Sequence, residues 1–205
     1  MSIATLDPPA STTPQLMTAE EFWDFCQLDE NRDRNFELIR GEIVEMPNPS
    51  RSHGAVCANI VRILGNHSFR IDRGYVVSND SGVILFNDPD TVVGPDVAYF
   101  TDAASFGDIL PKWGEMVPIL AVEVLSPSDK MKKVLAKVGD YLRSGVSAVW
   151  LVDFEERFLT LFRTTGIPRT FGDSDTISGE DYLPEFASPV ADFFRIPGSK
   201  PATAP

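Results

Sequence analysis

Asp96 and Glu123 are the acidic residues whose neighbours set them apart. Glu123 interrupts Ile119 to Leu125, a run that is otherwise apolar, and Asp96 follows Gly94-Pro95 at the mouth of another apolar run. An ionised carboxylate in such surroundings must be paired, protonated or bound to a cation, because burying it alone costs several kcal/mol or more. Something positive therefore belongs beside Glu123, and the residues alone leave open whether it is a lysine or arginine in a plain ion pair or a metal ion. The segment after Glu123 offers two lysines. At helical spacing Lys137 falls on the edge of an apolar stripe, one turn before Tyr141 on the same side, and Lys130 shares that edge. Either ammonium could reach along the sheet toward Glu123 or extend into solvent over its own aliphatic stem.

Other chemistries find less support. His53 and His67 stand fourteen residues apart with no carboxylate or cysteine read at ligand spacing, and Cys26 and Cys57 form no CxxC pair. Neither zinc ligation nor a disulfide is expected. His53, at a helix start, reads as a cap, a surface residue or a donor to a phosphate. Ser126 and Ser128 lack a GxSxG elbow and instead read as shaping a strand-to-helix turn. No GxxxxGK loop is present for a nucleotide. Of the tryptophans, Trp113 in the Pro111 to Pro118 loop is the one expected to face a ligand.

The elements that must carry these residues follow from periodicity. Thr18 and Glu21 form a capping box before Phe22, Trp23 and Phe25, which predicts a helix ending near Asp29. Phe36 to Met46 reads as a hairpin turning at Arg40-Gly41. Val56, Ile60, Ile63 and Leu64 predict a core-facing helix over residues 53–69. Tyr75 to Ser78, Gly82 to Phe86 and Val97 to Phe100 read as strands parted by turn residues. Ile119 to Leu125 reads as a strand buried on both faces. It leads into a helix capped by Ser128, with Met131, Val134, Leu135, Val138, Tyr141 and Leu142 on its apolar face and Gly145 at its end. Val146 to Val152 then returns as a strand, so the succession predicts a βαβ unit with parallel strands, and Phe158 to Phe162 adds one more.

At 205 residues the chain suits one domain, with 43% hydrophobic and 23% charged residues near globular averages. The expected division is a tail at 1–16, a folded body at 17–197 and a second tail at 198–205. The N-terminus reads as a leader without signal character, no apolar run is long enough for a bilayer, and the cysteine usage fits a reducing cytoplasm. A net charge of −12 argues against a phosphate-binding surface overall. Locally, however, Lys130, Lys132, Lys133, Lys137 and Arg143 reverse that sign.

Longer stretches of the chain resemble the Uma-two family of restriction-endonuclease-like proteins. The resemblance rests on Gly94-Pro95-Asp96-Val97, Val122-Glu123-Val124-Leu125-Ser126-Pro127-Ser128-Asp129, Lys137 through Tyr141, Ser144-Gly145-Val146 and Val149-Trp150-Leu151-Val152-Asp153. It extends to Met17 to Phe22, Phe36 to Glu42, Ser52-His53-Gly54 and Gly179 to Phe186, and so covers nearly the whole body. It implies an α/β (α+β mixed) fold with a restriction-endonuclease-like core, a central mixed β-sheet flanked by helices. It also implies the PD-(D/E)XK arrangement, with Asp96 and Glu123 as metal ligands. Those two carboxylates, a backbone carbonyl such as that of Val124 and a scissile phosphate oxygen would suit the six-oxygen shell of Mg²⁺, with Mn²⁺ as a substitute. The chain departs from that motif at Leu125, where a lysine would stand, and Lys137 matches the family's relocated lysine. Glu37 matches an additional acidic position, with Glu42 as its rival. The implied activity is metal-dependent hydrolysis of phosphodiesters in nucleic acid, DNA by expectation, with a homodimer expected by analogy alone. A catalytically inactive module of the same fold, and a phosphodiesterase acting on a non-polymer substrate, are the competing expectations.

Overall fold

The structure is a computed structural model that describes residues 16–198. The tails expected at 1–16 and 198–205 lie outside the described residues except for Leu16 and Gly198. Twelve strands, three α-helices and two short 3₁₀ helices are described in that span.

α1 (Ala19–Gln27) starts at the expected capping box, in which Thr18 and Glu21 satisfy each other's backbone N–H groups. β1 (Phe36–Ile39) and β2 (Glu42–Glu45) form the expected hairpin, and Arg40 and Gly41 both take positive φ, as a type I′ turn requires. α2 (Arg51–Ile71) is capped by Ser50, which accepts from the His53 N–H, and buries Val56, Ile60 and Leu64. It is followed by β3 (Tyr75–Ser78), β4 (Val83–Phe86), β5 (Thr91–Val93) and β6 (Val97–Phe100). β5 is an addition to the sequence reading, which placed only turn residues between Phe86 and Val97; three residues give a period-2 pattern too little length to register.

β7 (Leu120–Val124), α3 (Met131–Ser144) and β8 (Ala148–Asp153) make the βαβ unit, and β7 and β8 pair in parallel as predicted. Two details of α3 differ from expectation. The helix begins after Lys130 rather than at Ser128, because the Asp129 carboxylate accepts from the Ser126 N–H and holds 126–129 as a turn. Met131 and Leu135 are about half exposed, so the buried stripe narrows to Val138 and Tyr141. The end of α3 is as expected, with Gly145 at φ +105° in the left-handed region that favours glycine. β9 (Phe158–Arg163), β10 (Arg169–Gly172), β11 (Thr176–Ser178) and β12 (Ala187–Pro189) complete the strands.

The strands divide between a mixed six-stranded sheet, in the order β10-β9-β8-β7-β6-β3, and a four-stranded antiparallel sheet, β2-β1-β5-β4, with β11 and β12 paired apart. The fold is mixed α/β, with a mixed sheet flanked by helices. One face of the larger sheet packs Val97, Val122, Trp150 and Leu161 with Val56, Ile60 and Leu64 of α2. The other packs Ala98, Ala121 and Val149 with Val138 and Tyr141 of α3 and with β4. The chain passes from the smaller sheet to the larger through Gly94-Pro95-Asp96, between β5 and β6. That short crossing joins both sheets at one point.

Candidate active site

Sheet register brings the two acidic residues together. Val97 of β6 pairs with Val122 of β7, so Asp96, one step earlier on the antiparallel neighbour, comes level with Glu123. The Val124 N–H donates to Oδ2 of Asp96 at 2.6 Å, and Oδ1 lies 3.2 Å from Nε2 of His53.

Lys137 reaches the same point from α3. Its Nζ lies 2.7 Å from Oε1 of Glu37 and 2.9 Å from Oε1 of Glu123, and donates to the Gly94 carbonyl at 3.2 Å. An ammonium has three donors, and here each has a partner. Glu37 comes from β1 of the smaller sheet and also accepts from the Gly94 N–H at 3.2 Å. The second oxygen contact on Glu123 comes from Tyr141, whose hydroxyl donates to Oε1 at 2.6 Å. Lys137 and Tyr141 stand four residues apart and so share one helix face. A side chain on Gly94 would collide with Asp80, whose carbonyl oxygen would be only 2.4 Å from an added Cβ. The crossing residue must therefore be this small.

The structure thus gathers Asp96, Glu123, Lys137 and Glu37, with the backbone of Val124 alongside. Glu42 is exposed on β2, and Lys130 is exposed at the start of α3. Trp113 stacks on Phe22 at 4.9 Å and meets Trp23 edge-on at 5.0 Å, so it packs against α1. Three participants lay outside the sequence reading. Tyr141 appeared there only as a core residue, Asp80 fell among the turn residues between the strands at 75–78 and 82–86, and Cys57 was read as having no bearing on His53. Yet Cys57 is one helical turn beyond His53, and its Sγ lies 3.5 Å from Nδ1. The i, i+4 spacing on a predicted helix was the signal available.

Electrostatics follow from that crowding. Burial pushes the Glu123 carboxyl up to about 8; Asp96 and Glu37 add to the rise, and Lys137 and the Tyr141 hydroxyl oppose it. Burial alone would lower Lys137, but Glu123 and Glu37 outweigh it and hold the ammonium above its ordinary value. Burial beside Glu123 raises the Tyr141 hydroxyl well above its usual value. Burial, with Asp96 nearby, also raises Asp80. The hydrogen bond to Asp96 lifts His53 to about 10. Four carboxyl groups, those of Glu37, Asp80, Asp96 and Glu123, crowd around two cations, Lys137 and His53.

A group of carboxyl oxygens, buried and crowded enough to raise Glu123 up to about 8, is the donor set that suits a hard dication. Asp96, Glu123 and the Val124 carbonyl are the residues that would hold it. Among the described residues no helix is long and apolar enough to cross a membrane.

The comparisons with known proteins agree with this architecture. A family model described as Uma2, putative restriction endonuclease, matches residues 19–191. A crystal structure of a putative nuclease belonging to DUF820, from Anabaena variabilis, superposes with a TM-score of 0.73 at 20% sequence identity, over 87% of this chain and 97% of that one. No curated protein matches significantly.

Proposed function

Since the chain belongs to the Uma2 family, described as putative restriction endonuclease, we propose that it is a Mg²⁺-dependent endonuclease that hydrolyses phosphodiester bonds in DNA. The observation that carries this reading is the convergence of Glu37 and Glu123 on the Lys137 ammonium, with Asp96 level with Glu123 on the neighbouring strand.

In this reading Asp96, Glu123 and the Val124 carbonyl hold the cation, which supplies Lewis-acid polarisation of the phosphoryl oxygen and a more acidic bound water. Lys137 stays protonated between its two carboxylates and offers its charge to the oxygens that become more negative as the P–O bond breaks. Glu37 keeps Lys137 pointed at the strand end, and Tyr141 fixes the plane of the Glu123 carboxyl. His53, charged beside Asp96, stands where an anionic phosphate would be drawn in.

The test is cleavage of supercoiled plasmid with Mg²⁺, with Mn²⁺ and with chelator, by the wild-type protein and by Asp96→Asn. The substitution keeps the side-chain shape and an oxygen that can accept from Val124. Metal-dependent nicking that disappears in Asp96→Asn is expected, and cleavage that persists in the variant would refute the assignment.

A second reading, a catalytically inactive module on the same fold, is favoured by one feature. Glu123 is fully satisfied by Lys137 and Tyr141, so the ion pair is complete without a metal. Calorimetry separates the two: an inactive scaffold shows no saturable Mg²⁺ or Mn²⁺ site sensitive to Asp96→Asn.

A further inference from the structure

Asp96 faces two ways. Toward β7 its neighbours are the Val124 N–H and the Glu123 carboxyl, but toward α2 they are the imidazole of His53 and the thiol of Cys57. These lie on consecutive turns of one helix, with His53 buried and Cys57 half-buried. Nε2 of His53 is 3.2 Å from Oδ1 of Asp96, Sγ of Cys57 is 3.5 Å from Nδ1, and one donor atom from each residue lies within 4.8 Å of the other two. Tetrahedral zinc holds sulfur at about 2.3 Å and nitrogen or oxygen at about 2.0–2.2 Å, which sets its donors roughly 3.3–3.8 Å apart. The two short distances use opposite nitrogens of His53, so with one nitrogen ligating the remaining donor closes by about 1–1.5 Å to reach that spacing. The fourth position falls to water, as in zinc sites with three protein ligands.

We propose that His53, Cys57 and Asp96 form a site for a borderline dication of the zinc class, distinct in donor chemistry from the all-oxygen Mg²⁺ site and sharing Asp96 with it. Sulfur and imidazole favour zinc over magnesium by softness, and Mg²⁺ would gain nothing from either. Binding releases the Cys57 thiol proton and the proton held between His53 and Asp96 to solvent, leaving a thiolate and a neutral imidazole as ligands. Because Asp96 cannot serve both cations in full, zinc suppresses Mg²⁺-supported cleavage. That consequence rests on the nuclease reading, whereas the site itself does not.

The experiment uses the full chain, stripped of metal and titrated with Co²⁺ alone as a spectroscopic stand-in for zinc. One equivalent should give a sulfur-to-cobalt charge-transfer band, and Zn²⁺ should displace it. The band should be absent in Cys57→Ser and retained in Cys26→Ser, and His53→Ala should weaken Zn²⁺ affinity by more than about 10-fold. Without any substitution, Zn²⁺ should also slow alkylation of Cys57. Absence of the band, its survival in Cys57→Ser, or unprotected Cys57 would overturn the site. The cleavage assay is separate: Zn²⁺ should inhibit the wild type, and Cys57→Ser should need at least about 10-fold more for half-inhibition. A protein that cleaves nothing yet shows the cobalt band refutes only the nuclease reading. One that cleaves with Mg²⁺ and shows no band refutes only the zinc site.

Discussion

At the scale of single residues, Glu123 and Asp96 were legible as anomalies, a carboxylate in an apolar strand and another at a strand mouth. The partner of Glu123 was not legible, since Lys137 and Lys130 were equivalent by spacing and only the packed helix separates them. Tyr141 was hidden for a related reason: a tyrosine in an apolar stripe carries no mark of where its hydroxyl goes. That hydroxyl now makes a sharp prediction. Tyr141→Phe removes the 2.6 Å bond to a buried carboxylate and should lower stability by about 1.5–3 kcal/mol, read from urea midpoints. His53 makes another. Its pairing with Asp96 raises it from the ordinary value of 6.5 to about 10, so folding favours the protonated form. The stabilisation is therefore complete below about pH 6.5 and is lost as the pH climbs through about 10. Urea midpoints across that window should fall less steeply in His53→Gln than in the wild type.

At the scale of elements, the strong signals were those that repeat. The α1 capping box, the β1–β2 hairpin, and the β7-α3-β8 unit with its terminal glycine each display several concordant cues. What failed was short or depended on side-chain competition. β5 spans three residues, and Ser128 lost the helix start to a turn made by Asp129. The crossing from β5 to β6 is the element on which the site depends most. Gly94 lends its N–H to Glu37 and its carbonyl to Lys137 while the Asp80 backbone presses where a side chain would be. Gly94→Ala should cost about 1–3 kcal/mol through overpacking against backbone that cannot yield, with the loss visible in thermal melts. The same variant should weaken metal binding measured by calorimetry, because both site partners of residue 94 are displaced with it.

At the scale of the whole molecule, the sequence pointed to a mixed sheet with helices around it, but gave no hint that the strands split into two sheets. Pairing between distant strands leaves no local trace, and β1 meets β5 across more than fifty residues. The ion pairs of Lys137 span that division, binding Glu37 of the small sheet and Glu123 of the large one to the same ammonium. Lys137→Met should strand both carboxylates and destabilise the protein by about 3–5 kcal/mol. Hydrogen exchange should show the damage unevenly, with amides of β1 and β5 opening sooner than those of β7 and β8. Equal acceleration everywhere would argue against this bridging role. A last consequence comes from where the lysine resides. Had it stood two places after Glu123, its aim would follow the pleat of β7, but Leu125 occupies that place and the ammonium is lent by a helix. The aim of the ammonium is thereby keyed to rotational phase. One extra residue within the first turns of α3 would swing Lys137 by about 100° away from Glu37 and Glu123, whereas the same insertion among residues 125–130 could be absorbed by the turn.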